Sequence, residues 1–242
     1  MLQSVKAIVL KSVNYAETSV IIKAYTNQFG LKSYIINGVR SAKSKTRQSM
    51  VQALSLLNME VYHHSNRTLN RVKEVNFDVL YTSIPFNIVK GSIILFLQEI
   101  LLKCLKEEEA NDALFNFLHD ALLLFDRDIE KPENFHLSFL IELSSFLGFY
   151  PSGVFSNKLA YFNAAGGMFS AEASTDGNSL GPAEAEKFSR LISLPLNRSH
   201  EVGFSSESRK ILLHFLLQYF EYHLHGFGKI KSHKILETVL SV

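Results

Sequence analysis

The first eighty residues alternate between short apolar runs and polar turns, which is the pattern of a small all-β domain. β-branched and aromatic residues dominate five runs, at residues 4–13, 18–26, 31–39, 54–65 and 69–80. Short turns rich in Asn, Gly and Ser separate most of these runs, and one longer connection follows the third. We therefore predict a five-stranded barrel over residues 1–80. Its size matches an OB-fold, although the pattern is nearly as consistent with an SH3-like barrel.

From residue 81 onwards, the apolar positions recur at helical spacing. The predicted helices cover residues 86–105, 113–125, 135–149, 183–194, 208–225 and 232–240. Polar residues suited to cap a helix precede the second and the fifth of them. Two short apolar runs around Gly166 and Gly167 predict a β-hairpin within residues 150–180. The predicted fold class is α+β: an N-terminal five-stranded OB-fold barrel, followed by an α-helical domain at residues 81–242 with a small β-hairpin insertion.

Composition places the chain among ordinary globular proteins. Its 242 residues can bury one large core or two small ones, and 47% hydrophobic with 20% charged residues is typical of such chains. The N-terminus is polar and has no signal-peptide pattern. Gln98 interrupts an apolar run that is far too short to span a bilayer. The single cysteine, Cys104, cannot form an intrachain disulfide. We therefore expect a reduced, cytoplasmic protein.

Charge is distributed unevenly along the chain. Residues 1–80 hold eleven Lys or Arg against four Asp or Glu, a net charge of +7, whereas residues 81–242 carry −5. No acid stands between Glu17 and Glu60. The connection at residues 38–49 concentrates four cations: Arg40, Lys43, Lys45 and Arg47. A solvated surface loop would explain this run by itself, but the asymmetry favours a basic domain that binds a polyanion.

Aromatic residues are interleaved with the cations of the basic domain. The aromatics are Tyr15, Tyr25, Phe29 and Tyr34, and the neighbouring cations are Lys11, Lys23, Lys32 and Arg40. This combination suits sequence-tolerant binding of single-stranded nucleic acid, because every nucleotide offers a phosphate and a base that can stack. Because a buried lysine is rare, we expect Lys23 and Lys32 on the outer face of the barrel. Phe29 and at least one tyrosine are expected in its core.

Patterns for catalysis and metal binding are weak. The sequence contains no GxSxG, HExxH, P-loop or GxGxxG motif. His63 and His64 are adjacent on a strand and point to opposite faces. His214 shares a helix side with His223 but has no carboxylate motif beside it. The run at residues 107–109 is expected to be a solvated connection between helices. We therefore expect no enzyme activity, no metal and no cofactor.

The order of these segments resembles the bacterial recombination mediator RecO family. The likeness rests on "KAIVLKSVNYAETSVIIKAYTNQFGLKSYIINGVRSAKS", in which a turn ends in E-T-S, a strand closes on "FG", and the next strand runs into a glycine and the basic loop. It continues in "QALSLLNMEVYHHSNRTLNRVKE" and in "YFEYHLHGFGKIKSHKIL", which resembles the family's end helix and its S-x-K-x-L tail.

This resemblance implies a DNA-repair protein without bond-breaking turnover. Family members bind single- and double-stranded DNA, anneal complementary strands, engage single-strand-binding protein (SSB), and act with RecR to load RecA. The matching basic loop would then contact phosphates through Arg40, Lys43, Lys45 and Arg47. The charge pattern adds Lys11, Lys23 and Lys32 as candidates. The resemblance also implies association with the nucleoid during repair.

The hairpin region departs from the family pattern. Many family members carry a four-cysteine zinc site there, whereas the corresponding stretch here keeps Gly166 and Gly167 but contains no cysteine. Zinc is therefore not expected at this hairpin, which must be held by apolar packing. The residues expected to pack are Leu159, Tyr161, Phe162, Met168 and Phe169.

The acidic domain is expected to bind a protein partner rather than DNA. SSB proteins end in a short acidic tail closed by apolar residues, and a receptor for it needs an apolar groove with cations at the rim. The C-terminal region offers an apolar stripe followed by cations: Leu216, Phe220 and Leu224, then Lys229, Lys231, His233 and Lys234. A stripe that is simply core, beside a solvated terminus, would give the same pattern.

Two other functions remain open on the sequence. The barrel would equally suit a scaffold that binds RNA or protein without annealing DNA, with the loop only adding solubility. A nuclease with an unrecognised site is a further alternative, which no residue pattern supports.

Overall fold

The computed structural model describes residues 1–40, 48–64, 66–175 and 177–241. The strands of the N-terminal part are β1 (Leu2–Tyr15), β2 (Ser19–Thr26), β3 (Gly30–Ile36), β4 (Leu56–Tyr62) and β5 (Leu69–Val79). The α-helices are α1 (Ile88–Cys104), α2 (Asp112–Arg127), α3 (Phe135–Phe146), α4 (Pro182–Ser193), α5 (Ser206–His223) and α6 (His233–Leu240). Short strands between α3 and α4 are β6 (Tyr161–Asn163), β7 (Met168–Ser170) and β8 (Ser179–Leu180).

The N-terminal strands close into a barrel in the order β1-β2-β3-β5-β4. β3 and β5 pair in parallel, whereas the other neighbouring pairs are antiparallel. β1 closes the ring because its first half pairs with β4 and its second half with β2, with a register shift between Val9 and Lys11 that lets the strand bend. This strand order is that of an OB-fold. The predicted α+β fold with an N-terminal OB-fold barrel is therefore confirmed.

Alternating side chains of the barrel strands fill its interior. β2 buries Val20, Ile22 and Ala24, and β3 buries Tyr34 and Ile36 in the same core. Side chains one residue out of phase on these strands point outward. Full burial of each large apolar side chain contributes roughly 1.5–3 kcal/mol, so the inward rows stabilise the barrel. The outward side chains that stay exposed are available for binding.

The chain divides into two compact units whose boundaries differ from the predicted domains. Residues 1–86 and 94–123 form the first unit, and residues 87–93 and 124–242 form the second. The division of the protein into domains at residue 80 stays a prediction, but the compact unit that contains the barrel extends beyond that residue.

Side-chain contacts hold residues 94–123 to the barrel. The Gln98 amide donates to the carbonyl oxygen of Leu10 at 2.8 Å, and the Tyr25 and Phe115 rings stack with centroids 6.4 Å apart. These contacts would not be visible in the sequence pattern, since each joins residues that are about ninety positions apart along the chain.

A carboxylate at the end of β5 joins α2 to two barrel strands. One oxygen of Asp78 lies 2.7 Å from His119 Nε2, and the other accepts a hydrogen bond from the Asn58 amide at 3.0 Å and lies 3.1 Å from Lys6 Nζ. Burial by itself would raise the pKa of Asp78, but the hydrogen bonds from His119, Lys6 and Asn58 outweigh this effect and lower it. The ionised carboxylate is therefore part of the fold of the first unit.

The connection between α1 and α2 packs on the β2–β3 hairpin. The Leu31 N–H donates to the carbonyl oxygen of Glu107 at 3.0 Å, and the Glu108 carboxylate pairs with Lys32. The run at residues 107–109 is therefore solvated, as expected, but it also contacts the barrel. Its side chains are exposed, but its backbone contacts the hairpin.

The second unit contains one strongly buried helix, α3, and a helix with a side-chain N-cap, α5. α3 buries nine of its twelve residues. Ser205 caps α5 by accepting a hydrogen bond from the Ser208 N–H at 3.1 Å, as predicted. In the first unit, the Asn111 side chain caps α2 in the same way. Within the described part of the chain, even the most apolar helix is too short or too polar to cross a membrane.

The predicted hairpin forms between β6 and β7, and β8 adds a third strand on the other side of β6. Phe162 and Phe169 are buried, and their rings meet edge to face at 4.9 Å. Tyr161 is half-buried. Leu159 and Met168 are 39% and 50% exposed, so the prediction that they hold the hairpin is wrong. Aromatic packing of the two phenylalanines supplies the apolar contact instead.

Protonation of His136 is expected to destabilise the folded protein in acid. The side chain is fully buried in α3, and burial together with the charge of Arg209 lowers its pKa to about 3. In the unfolded chain the imidazole has an ordinary pKa of ~6.5. Above that value neither state binds the proton. As the pH falls from ~6.5 towards ~3, the unfolded chain binds a proton that the folded chain excludes, so the free energy of unfolding decreases by up to about 1.4 kcal/mol per pH unit.

Urea denaturation between pH 7 and pH 4 would measure this effect, with unfolding followed by circular dichroism. A His136→Gln variant, which cannot titrate, should show a flatter dependence of the free energy of unfolding on pH than the parent. His200→Gln removes an exposed histidine and should keep the parental slope. Equal slopes for the parent and the His136 variant would contradict the assignment.

Candidate nucleic-acid interface

The outward side of β1, β2, β3 and β5 carries two adjacent rows of side chains. One row consists of cross-strand neighbours Lys11, Lys23, Ser33 and Leu69. The other consists of Val13, Ile21, Ile35 and Arg71, and it continues to Tyr62 on β4. Cβ atoms of directly opposite residues lie about 4.5–5.5 Å apart. The face, which we call the outer face of the barrel, is thus a continuous surface of cationic and apolar groups.

Lys11 and Lys23 form a like-charge pair on the outer face. They lie directly opposite each other across β1 and β2, and both are exposed. Like charges in this position destabilise a pair of strands, so the barrel itself does not benefit from the arrangement. A phosphate between the two ammonium groups would remove their repulsion. This pair is therefore a favourable position for an anion on the outer face.

The loop between β4 and β5 extends the outer face with a groove of about 580 Å³. Its lining includes Arg67 and Arg71, together with Tyr62, His64 and Leu69. Tyr62 and Leu69 are 42% and 37% exposed. A guanidinium beside an aromatic ring suits a nucleotide, because the guanidinium binds phosphate and the ring stacks on a base. In OB-folds, the surface of strands 2 and 3 and the loops after strands 1 and 4 commonly bind oligonucleotides.

The two arginines carry most of the charge that this groove offers to a ligand. Lys73, at its edge, lies 2.9 Å from the Glu60 carboxylate, and the hydrogen bond and charge of Glu60 raise the pKa of Lys73. No ion pair reaches Arg67 or Arg71 from the residues that the structure describes.

Arg40 ties the start of the basic loop to the turn between β1 and β2. Its backbone N–H donates to the carbonyl oxygen of Thr18 at 3.0 Å, and its guanidinium donates to that of Ala16 at 3.4 Å. The side chain of Arg40 is exposed. The other predicted residues of the loop, Lys43, Lys45 and Arg47, lie outside the described residues. Arg40 therefore lies next to the β1–β2 turn, at one end of the outer face.

Lys32 does not lie on the outer face, and this expectation is wrong. On β3 it is in phase with Tyr34 and Ile36, which face the barrel interior, and its side chain is only 11% exposed. Its ammonium lies 2.5 Å from the Glu108 carboxylate, and this hydrogen bond and charge lower the pKa of Glu108. The alternation along β3 outweighs the general rarity of a buried lysine, which is tolerated here because it is paired. Its contact with DNA stays a prediction and would require this pair to open.

The aromatics of the basic domain divide into core and surface. Tyr25 and Tyr34 are 3% and 0% exposed, and burial raises the pKa of each to about 12. Phe29 packs against the barrel core and stacks on His63 with ring centroids 3.7 Å apart. The expectation that Phe29 and at least one tyrosine belong to the core is confirmed. Of the four aromatic residues Tyr15, Tyr25, Phe29 and Tyr34, Tyr15 is the one exposed enough to stack on a base, at 51%.

Sequence reasoning missed Tyr62, Arg67 and Arg71 as candidate binding residues. It assigned the site to the connection with the highest density of cations, which lies between β3 and β4. A usable signal was present, since Arg67 and Arg71 flank the predicted β4–β5 turn and this turn belongs to the ligand-binding side of an OB-fold.

The apolar part of the predicted SSB-tail site is contradicted by burial. Leu216 and Phe220 are both 0% exposed and belong to the core around α5, and Leu224 is half-buried just after its end. This stripe therefore cannot form the floor of an open groove. The cations that follow it, Lys229, Lys231 and Lys234, are exposed.

Two family models match the chain, one for each half. Residues 1–78 match the model described as Recombination protein O N terminal. Residues 85–233 match the model described as Recombination protein O C terminal.

Curated proteins described as DNA repair protein RecO are similar over nearly the whole chain. The protein of Flavobacterium psychrophilum is 38% identical over 237 residues, which is 98% of each chain. That of Flavobacterium johnsoniae is 36% identical over 237 residues, again 98% of each. That of Bacteroides fragilis is 32% identical over 240 residues, or 99% of each.

Proposed function

Because the chain belongs to the recombination protein O family of DNA repair proteins, we propose that it binds single-stranded DNA along the outer face of the barrel. Bound in this way, it anneals complementary strands and, with RecR, helps to load RecA onto DNA coated with SSB. The observation that carries the proposal is the exposed pair of opposed lysines, Lys11 and Lys23, next to the row that contains Arg71.

The outer face offers separate groups to the two parts of a nucleotide. Phosphates would be bound by Lys11, Lys23 and Arg71, each of which releases condensed counterions from the strand. Bases would stack on the exposed rings of Tyr15 and Tyr62. Stacking of this kind contributes about 1–3 kcal/mol per base and accepts any sequence. A repair protein needs this tolerance, because damage arises in any sequence.

Annealing follows from the same charges. Two complementary strands repel each other through their phosphates, and a cationic face that neutralises part of this charge lowers the cost of their approach. A duplex has its bases stacked internally, so it can use the phosphate contacts but not the tyrosines. The protein is therefore expected to hold a single strand more tightly than the duplex product and to release that product. Such a role requires no bond to be made or broken, and hence no catalytic residue.

Removal of the basic loop's charges is expected to weaken DNA binding without unfolding the protein. In a variant with Arg40, Lys43, Lys45 and Arg47 replaced by alanine, each lost phosphate contact should reduce the salt slope of single-strand binding by about 0.7. Fluorescence anisotropy of a labelled dT oligonucleotide across salt concentrations measures this slope. Unchanged affinity and slope would identify the run as a solvated surface loop.

A strand-annealing assay tests the proposed function. The parent protein should accelerate the pairing of two complementary oligonucleotides, both naked and coated with SSB. A protein that binds the oligonucleotides without accelerating their pairing would contradict the annealing role. The same assay with an RNA pair distinguishes a DNA mediator from an RNA-binding scaffold, which would show equal or greater activity on RNA.

For the SSB partner, we propose that the acidic tail is bound by the exposed lysines Lys229, Lys231 and Lys234, which follow α5. The apolar end of the tail would need a different apolar surface from the buried stripe of α5. The predicted cytoplasmic, nucleoid-associated location accords with this role and stays a prediction.

A further inference from the structure

Three side chains of types that can ligate a metal meet where α5 and α6 of the second unit pack together. His214 lies in the middle of α5, and His233 and Glu237 lie four residues apart on the same side of α6. One ring nitrogen of each histidine and one oxygen of Glu237 all lie within 4.8 Å of one another. The ring centroids of the two histidines are 5.6 Å apart. Sequence reasoning compared His214 with His223 instead, and so found no carboxylate beside it.

Two polar atoms of this cluster are buried and have no hydrogen-bond partner among the described residues. They are His233 Nδ1 and Glu237 Oε1. Glu237 Oε1 lies only 2.7 Å from His214 Nε2, yet the pair does not have the geometry of a hydrogen bond. Buried polar groups normally have a partner, so two such atoms in one cluster indicate that a shared partner belongs there. An ion pair between His214 and Glu237 alone would leave the buried His233 Nδ1 without a partner in the described part of the chain.

We propose that His214, His233 and Glu237 form a divalent-metal site that binds Zn²⁺. Two imidazoles and one carboxylate are a known zinc ligand set, with a water at the fourth position. Neighbouring ligand atoms in a tetrahedral zinc site are roughly 3.3 Å apart, so the side chains need only small rotations to reach that spacing. The open position faces solvent, since His214 is 48% exposed. This site is distinct from the hairpin of β6 and β7, where no zinc is expected.

The bound metal would fasten the C-terminal helix to α5. Among the residues of α6, Leu236 is the buried one, so this short helix has little apolar contact to hold it. A competing cation is already present, because Lys210 Nζ lies 4.0 Å from the second oxygen of Glu237. The positive charge of Lys210 repels a metal cation and lowers the affinity of the site for it. Lys210→Met should therefore tighten metal binding, which a merely structural ion pair at Glu237 would not predict.

Calorimetric titration of Zn²⁺ into the full-length, EDTA-treated protein tests this site. The parent should bind one ion per chain, and its melting temperature should rise with added Zn²⁺. His233→Ala and Glu237→Gln should each weaken this binding by about tenfold or more and reduce the thermal shift at a given Zn²⁺ concentration. His200→Ala removes an exposed histidine elsewhere in the second unit and should behave like the parent.

Circular dichroism of each variant without metal establishes that it is folded, and Glu237→Gln preserves the size of the side chain in case His233→Ala does not fold. No stoichiometric binding to the parent would overturn the proposal. So would equal affinity for Zn²⁺ in the parent and in a folded Glu237→Gln variant.

Discussion

Replacement of Lys11, Lys23 and Arg71 by glutamine is expected to weaken binding of a dT oligonucleotide by about 100-fold at ~0.1 M salt. Because each phosphate contact releases counterions, it raises the logarithm of the binding constant for a single strand by about 0.7 for each tenfold dilution of salt. Each cation therefore contributes roughly fivefold in affinity at ~0.1 M salt relative to 1 M. The three side chains lie on the outer face and none belongs to the barrel core, so the variant should remain folded. Fluorescence anisotropy measures the dissociation constant.

A matched control variant distinguishes the effect of the outer face on DNA affinity from the effect of the net charge of the chain. Lys131, Lys158 and Arg190 are exposed cations of the second unit, and their replacement by glutamine changes the charge of the chain by the same amount. Because none of these three cations belongs to the outer face, the control variant should lose no more than about threefold in affinity. An equal loss in both variants would show that the overall charge, and not this face, governs DNA binding.

Replacement of Gly30 by alanine is expected to lower the free energy of unfolding by roughly 3–5 kcal/mol. Gly30 begins β3 with a φ of +55°, and an added Cβ would overlap the carbonyl oxygen of Glu109 and lie 2.8 Å from that of Glu107. Because these are backbone atoms, no side-chain rotation relieves the clash. The connection between α1 and α2 would have to move away from the β2–β3 hairpin, which would also break the hydrogen bond from Leu31 to Glu107. Urea denaturation followed by circular dichroism measures the loss.

Gly38→Ala is the control for the backbone contribution. Gly38 also has a left-handed φ, of +76°, but an added Cβ there would meet no atom within 4 Å. It should therefore show only the conformational cost of about 1–2 kcal/mol. If the two variants were equally stable, the close packing of residues 107–109 on the hairpin would be contradicted.

Most of the barrel was predictable because its stability depends on a short-range pattern. Alternation of apolar and polar residues marks each strand, and polar turns mark their ends. The pattern could not show that residues 94–123 pack with the barrel, since contacts such as that of Gln98 with Leu10 join distant parts of the chain. It also gave no signal for β8, because two residues, Ser179 and Leu180, are too few to show alternation.

The candidate site was harder to predict than the fold, because it depends on strand register and on packing between helices. Arg71 joins the outer face only because β5 pairs with β3 in one particular register, next to an irregularity in the β4–β5 pairing. For Lys32, the alternation with Tyr34 along β3 and the ion pair with Glu108 outweigh the general rarity of a buried lysine. The cluster of His214, His233 and Glu237 spans two helices and the turn between them, so no spacing along one element reveals it.

Photocrosslinking tests most directly whether the outer face of the barrel binds single-stranded DNA. A dT oligonucleotide that carries a photoreactive thymine is irradiated in complex with the protein, and the modified peptides are identified by mass spectrometry. We predict crosslinks at Tyr62 and Tyr15, which lie at the two sides of the outer face, and their loss in the variant that lacks Lys11, Lys23 and Arg71. Crosslinks confined to residues 124–242, with both tyrosines unmodified, would contradict the proposed binding face.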